Sequence, residues 1–185
     1  SEPMRDASLE AARIAKEHGV LLSFDPNLRF ELGRSPAAEA RMMQVLSMAD
    51  VIAPTLEEGR ILTGKRSVGD VLRALHALGP SIVALTRDKE GAVLSAGGQV
   101  VLCGGIDVPV VDPTGAGDTF DAALLIALQR GMPLAEAALF CNCAGTLVVT
   151  RRGAIGLALP TCEEVETLMA QAPCTVQSVQ LDALA

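Results

Sequence analysis

Short apolar runs alternate with helical stretches along almost the whole chain, and this alternation constrains the fold more than any other feature. Met4 to His18 has the spacing of an amphipathic helix, closed by Gly19. Val20 to Phe24 reads as a buried strand ending at Asp25-Pro26-Asn27, and Pro36 to Ala49 as a second helix. Val51 to Ala53 is a short strand; Thr55 and Glu58 have the capping-box spacing and open a helix that ends near Gly64. Val68 to Leu78 continues as helix and Ser81 to Leu85 as strand. Gly91 to Ala96 and Gln99 to Cys103 flank Gly97-Gly98, a hairpin signal. Asp107 to Val111 reads as a further strand, and helices follow at Gly117 to Arg130 and Leu134 to Val149. Thr161 to Glu164 is a second capping box opening the last helix, and the pattern fades after Pro173. The expectation is an α/β fold with a mainly parallel sheet and helices on both faces. Residues 1–172 would form the folded part and residues 173–185 a tail.

In such sheets, ligands bind beyond the carboxyl ends of strands. The polar loops Asp25 to Arg29, Thr55 to Glu58, Thr86 to Asp88 and Asp112 to Asp118 all fall at predicted strand ends. In Asp112-Pro113-Thr114-Gly115-Ala116-Gly117-Asp118-Thr119-Phe120, a glycine-rich turn follows the apolar run Val108 to Val111 and feeds a helix. Glycines let backbone N–H groups approach an anion, and the helix N-terminus adds positive potential. A carboxylate in that first turn is out of place in a simple phosphate cradle. It fits if Asp118 takes a proton from an attacking hydroxyl, as phosphoryl transfer to an alcohol requires. The turn lacks the third glycine of a dinucleotide fingerprint, and no P-loop pattern occurs.

The net charge is −7 with both signs interspersed, which argues against nucleic-acid or anionic-membrane partners. Tyr and Trp are absent and Phe numbers 4, so base-stacking platforms are not expected. The N-terminus shows no secretion signal, and no apolar run has transmembrane length; a cytoplasmic location is expected. The 5 Cys contain no CxxC pair and read as free thiols. His18 and His76 sit in helical patterns away from the motifs and read as structural.

The Asp112–Phe120 segment, with Asp25-Pro26-Asn27-Leu28-Arg29 and Val148 to Ala154, resembles the PfkB, or ribokinase-like, family of carbohydrate kinases. The likeness is to the C-terminal portion of that family, closest to 2-keto-3-deoxygluconate kinases and fructokinases. It implies a three-layer ribokinase-like fold, with the N-terminal part and its lid outside this stretch. It also implies ATP with Mg2+, K+ beside the anion hole, a sugar or sugar-acid substrate, and a homodimer in the full-length form. The stretch alone would then be inactive on sugars, or serve as a noncatalytic nucleotide-binding remnant.

By the same resemblance, Asp118 is the catalytic base, and Gly115, Ala116 and Gly117 form the anion hole. Thr86, Asp88, Gly91, Gly115, Gly117 and Asn142 fall on the nucleotide side, with Asp88 standing where the family has Gly. Arg29 would meet the substrate with Asp118, since its guanidinium suits a carboxylate or phosphate. Glu58 would organise magnesium, with Thr55 in place of the family's Asn; a plain capping box explains the same pair. Asp112 with the carbonyls of Thr114, Val148 and Gly153 would hold the monovalent cation; a turn-initiating Asp before Pro113 is the alternative. For Asn142 the alternative is a mid-helix side chain facing solvent.

Overall fold

A computed structural model describes residues 2–28, 35–171 and 174–184. The chain divides into two compact units: Ser1–Leu85 with Ala96–Gly98 and Leu181–Ala185, and Thr86–Ser95 with Gln99–Gln180.

In the first unit, α1 (Glu2–Glu17), α2 (Pro36–Met48), α3 (Leu56–Thr63) and α4 (Val68–Ala77) accompany β1 (Ser23–Phe24), β2 (Val51–Ile52) and β3 (Ile82–Thr86). The strands lie parallel in chain order, with Ser23 opposite Val51 and Val51 opposite Ile82. Asp50 organises their starts. Its carboxylate accepts the Leu22 N–H at 2.8 Å and the Lys16 ammonium at 2.7 Å, and its carbonyl accepts the N–H groups of Ser81 and Ile82. The Leu22 N–H first, and then the Lys16 ammonium, hold its carboxyl below the ordinary range. Leu46, Ile52, Val71, Leu72, Leu75, Val83 and Leu85 are fully buried between the strands and helices. The predicted strand over Val20–Phe24 is shorter than expected, and Val20 and Leu21 are 57% and 51% exposed. The reason lies in the helix before it. Gly19 takes φ +66°, its N–H bonds Lys16 O, and the Val20 N–H bonds Ala15 O, so Val20 is spent on a Schellman cap.

The chain's end also belongs to this unit. A single 3-10 turn at Leu181–Ala183 follows the Leu181 N–H bond to Gly98 O. Arg73 on α4 donates to the carbonyls of Leu181 and Leu184 at 3.1 and 3.0 Å. Gly69 lets it settle there, because a Cβ at that position would lie 2.7 Å from Leu184 O. Arg73→Ala is expected to cost about 1 kcal/mol, the scale of hydrogen bonds from a partly exposed cation. Amide exchange at residues 181–184 should accelerate; unchanged exchange there would remove Arg73 as the latch.

The second unit holds β4 (Ala92–Ala96), β5 (Gln99–Cys103), β6 (Val176–Gln180), α5 (Ala116–Gln129), α6 (Leu134–Val149) and α7 (Cys162–Gln171). Gly97 and Gly98 turn β4 into β5 at φ +56° and +79°, both in the left-handed region that a tight hairpin needs. The segment expected to be a tail instead contains β6, antiparallel to β5 from Gln99 opposite Gln180 to Cys103 opposite Val176. Its sequence, Val-Gln-Ser-Val-Gln, is mostly exposed and carries little apolar signal; the backbone ladder defines the strand. The predicted strand over Asp107–Val111 does not form. Val110 and Val111 are 64% and 60% exposed. Pro109 has no N–H to give a ladder, and the N–H groups of Val111 and Asp112 both turn to Val149 O at the end of α6. α5 and α6 approach closely at Gly145, whose Cβ would sit 3.5 Å from Ala116 O. The strands of the first unit thus pair parallel, and β5 and β6 of the second pair antiparallel.

Candidate active site

The glycine turn opens α5 as expected. Gly115 is its N-cap residue at φ +83°, a conformation costly for any residue with a Cβ. A Cβ there would also lie 2.8 Å from the Ala154 Cβ, so the loop after α6 is pressed against the turn. Asp112 fastens the two. Its Oδ1 accepts the Thr114 N–H at 3.0 Å, closing an Asx turn, and its Oδ2 accepts the Gly153 N–H at 3.0 Å. Hydrogen bonds from Thr114, then from Gly153, lower its pKa from the ordinary 3.8. A carboxyl with a depressed folded pKa adds stability above its unfolded pKa and loses it as pH falls through the folded value. Acid titration of Tm should therefore show a small loss beginning near pH 3.8 and continuing below it, absent in Asp112→Asn. Superimposable curves would remove Asp112 as the clamp.

Thr119 donates the first intrahelical bond, to Gly115 O at 2.9 Å. By helix geometry the N–H groups of Gly117 and Asp118 then have no acceptor within α5. Both residues are exposed, and nothing lies within 4 Å of where a Gly117 Cβ would sit. The Asp118 carboxylate makes no hydrogen bond or ion pair among the described residues. The turn thus presents backbone donors and a free carboxylate side by side, which is what an anion acceptor beside a base requires. Val148 is buried, and its carbonyl accepts the Arg151 N–H at 3.1 Å.

Of the residues expected on the nucleotide side, Gly91 and Asn142 have packing roles. Asp88 sits at φ +49°, which explains why Gly suits that position and why Asp, among the side chains tolerant of it, can replace it. Thr86 ends β3 partly exposed. Gly91 is buried, and a Cβ there would collide with Cys103 O and the Gly104–Gly105 backbone. Close packing accounts for that glycine. Asn142 is not solvent-facing: it is 8% exposed, and its Nδ2 donates to Gly104 O at 2.9 Å, bracing α6 against the end of β5.

In the first unit, Thr55 and Glu58 form the capping box in full. Glu58 Oε2 accepts the Thr55 N–H at 2.9 Å and hydroxyl at 2.8 Å, and Thr55 Oγ1 accepts the Glu58 N–H at 3.1 Å. Glu58 Oε1 accepts the Leu28 N–H at 2.6 Å, so the same carboxylate anchors the loop after β1. Asp25 shapes that loop by accepting the Asn27 N–H at 3.0 Å. Arg29 lies outside the described residues. Among the described residues, no three His, Cys, Asp or Glu side chains are grouped to hold a metal ion.

The structure therefore brings Asp112, Thr114, Gly115, Gly153 and Asp118 into one locality of the second unit, and seats Glu58 beneath the Leu28 loop of the first. Sequence reasoning missed Ala154, the wedge against Gly115, and Gly104-Gly105, which receives residues 89–91. The consecutive glycines after β5 were the available signal for the second; an alanine in a loop carries none.

The chain is 34% identical over 178 residues to a fructokinase of Vibrio alginolyticus, aligning 92% of itself with 58% of that protein. An E. coli protein described as a ribokinase II, solved with ATP and magnesium, superposes with a TM-score of 0.86 at 30% identity, covering 92% of this chain and 55% of that one. A double mutant of Vibrio cholerae fructokinase, solved with fructose, ADP and potassium, superposes with a TM-score of 0.81 at 31% identity, covering 91% and 56%. The chain thus has a ribokinase-like α/β fold and spans little more than half the length of these relatives. Residues 1–162 match the model of the pfkB family carbohydrate kinases, and the chain belongs to that family.

Proposed function

We propose that this chain carries the nucleotide-binding and base-bearing part of an ATP-dependent kinase that phosphorylates a hydroxyl of a sugar or sugar acid, of the fructose or 2-keto-3-deoxygluconate type. The observation that carries this reading is the opening of α5: exposed N–H donors at Gly117 beside the unpartnered carboxylate of Asp118. Asp118 accepts the proton of the attacking hydroxyl, and the N–H groups of the Gly115–Gly117 turn stabilise charge on the moving phosphoryl group. The Asp112 clamp and the Ala154 wedge hold that turn in shape, so little reorganisation is needed at the moment of transfer. Magnesium on the triphosphate would neutralise its charge. The carbonyls of Thr114, Val148 and Gly153 beside Asp112 would suit potassium, a hard cation that takes oxygen ligands. Thr86 and Asp88 line the nucleotide side in this proposal, and Arg29 receives the acidic group of the sugar.

Gly117 allows the turn's role to be separated from its fold. An Ala there enters open space at a helix start and should leave Tm unchanged or slightly higher. Its Cβ would project where a phosphate must approach the backbone. Titration calorimetry with MgATP should show binding to the wild type and at least about a tenfold weaker binding to Gly117→Ala. No heat from folded wild type at millimolar nucleotide would overturn the reading. A second reading, nucleotide binding without transfer, rests on Asp88, a carboxylate standing on the expected nucleotide side where the family has Gly. It predicts MgATP binding with no sugar-dependent ADP release.

A further inference from the structure

Three cysteines of the second unit gather at one end of the β5–β6 ladder. Cys103 ends β5 opposite Val176, and the Gly104 N–H continues the pairing to Thr175 O at 2.9 Å. One further step of this antiparallel register sets Gly105 opposite Cys174. Side chains alternate along a ladder, so Cys103 and Cys174 share a face, and Gly105 places no side chain between them. The Cys103 Sγ donates to Gly104 O at 3.8 Å, and Cys174 and Cys143 of α6 both lie close enough for their charge to raise the Cys103 thiol. Cys103 and Cys143 are fully buried, whereas Cys174 is partly exposed and all are free thiols. These thiols are not grouped as a metal site. What remains open to the pair is oxidation.

We propose that Cys103 and Cys174 form a reversible disulfide that staples β6 to β5, with a low-molecular-weight disulfide such as oxidised glutathione as the oxidant. The Cys174 thiolate attacks one glutathione sulfur, forming a mixed disulfide and releasing one glutathione thiolate. The Cys103 sulfur then attacks the Cys174 sulfur and displaces the second. The two cysteines lose two electrons to the glutathione disulfide, and their two protons go to the two glutathione thiolates. The order follows from access, since only Cys174 reaches solvent. Burial, and then Cys174 itself, push the Cys103 thiol up to about 12, so Cys103 keeps its proton and does not start the exchange.

The test uses the whole 185-residue chain, incubated with oxidised glutathione and digested without reductant. Peptide mass spectrometry is expected to find Cys103 linked to Cys174, with dithiothreitol reversing the link. The oxidised chain should melt higher by on the order of 5 °C, because the staple restricts the unfolded state. Cys174→Ser should keep the reduced Tm and show no oxidative rise. The peptide map of the wild type decides the pairing even if Cys103→Ser, at a buried site, does not fold. A Cys143–Cys174 link, a glutathione adduct on Cys174 that never resolves, or thiols that stay reduced would each overturn the proposal.

Discussion

Replacing Asp118 by Asn is expected to lower sugar-dependent ADP release by about a hundred- to ten-thousandfold, the range attributed to a positioned general base. The substitution is nearly isosteric, and Asp118 is exposed with no partner among the described residues, so neither fold nor turn should change. An amide cannot take the hydroxyl proton. The loss should therefore fall on kcat, with MgATP affinity within about twofold of wild type, because the nearby N–H donors remain in place. A preparation that turns over sugar is needed for the comparison. A variant keeping most of its kcat would remove Asp118 from the reaction. A variant losing nucleotide affinity in proportion would show a binding role instead.

Gly115→Ala should act in the opposite way, through the fold. A Cβ at φ +83° costs about 1–2 kcal/mol in backbone strain. Meeting the Ala154 Cβ at 2.8 Å adds about 1–3 kcal/mol of overpacking. Thermal or urea unfolding should register the sum. The double variant Gly115→Ala with Ala154→Gly should recover the collision part and leave the strain. Recovery of the whole loss would mean that backbone strain at Gly115 is negligible. No loss in the single variant would mean that the turn is not held against the 153–154 loop.

The contrast between Gly115 and Gly117 shows how far sequence reasoning reaches. Both stand in one motif, and the motif assigns both to anion binding. One is demanded by a left-handed backbone and a neighbouring alanine; the other opens onto empty space. Glu58 shows the same limit. Its cap of α3 follows from spacing alone, whereas its hold on the Leu28 N–H, 30 residues back, does not.

Features whose physics closes within a few residues were determined by the sequence itself. The two capping boxes, the Gly97-Gly98 hairpin and the span of α6 follow from side chains and backbone groups that meet within a turn or two. The α/β alternation and the carboxylate in the first turn of α5 were legible for the same reason. Tertiary structure alone decided that residues 107–111 form no strand, that Val-Gln-Ser-Val-Gln does, and that Asn142 is buried. In each of these the deciding hydrogen bond comes from far along the chain. Val149 O captures Val111, β5 pairs with β6, and Gly104 O, 38 residues away, takes the Asn142 amide. A local window records hydrophobicity and propensity but not which distant backbone group satisfies a donor, and burial of a polar group is settled by that partner.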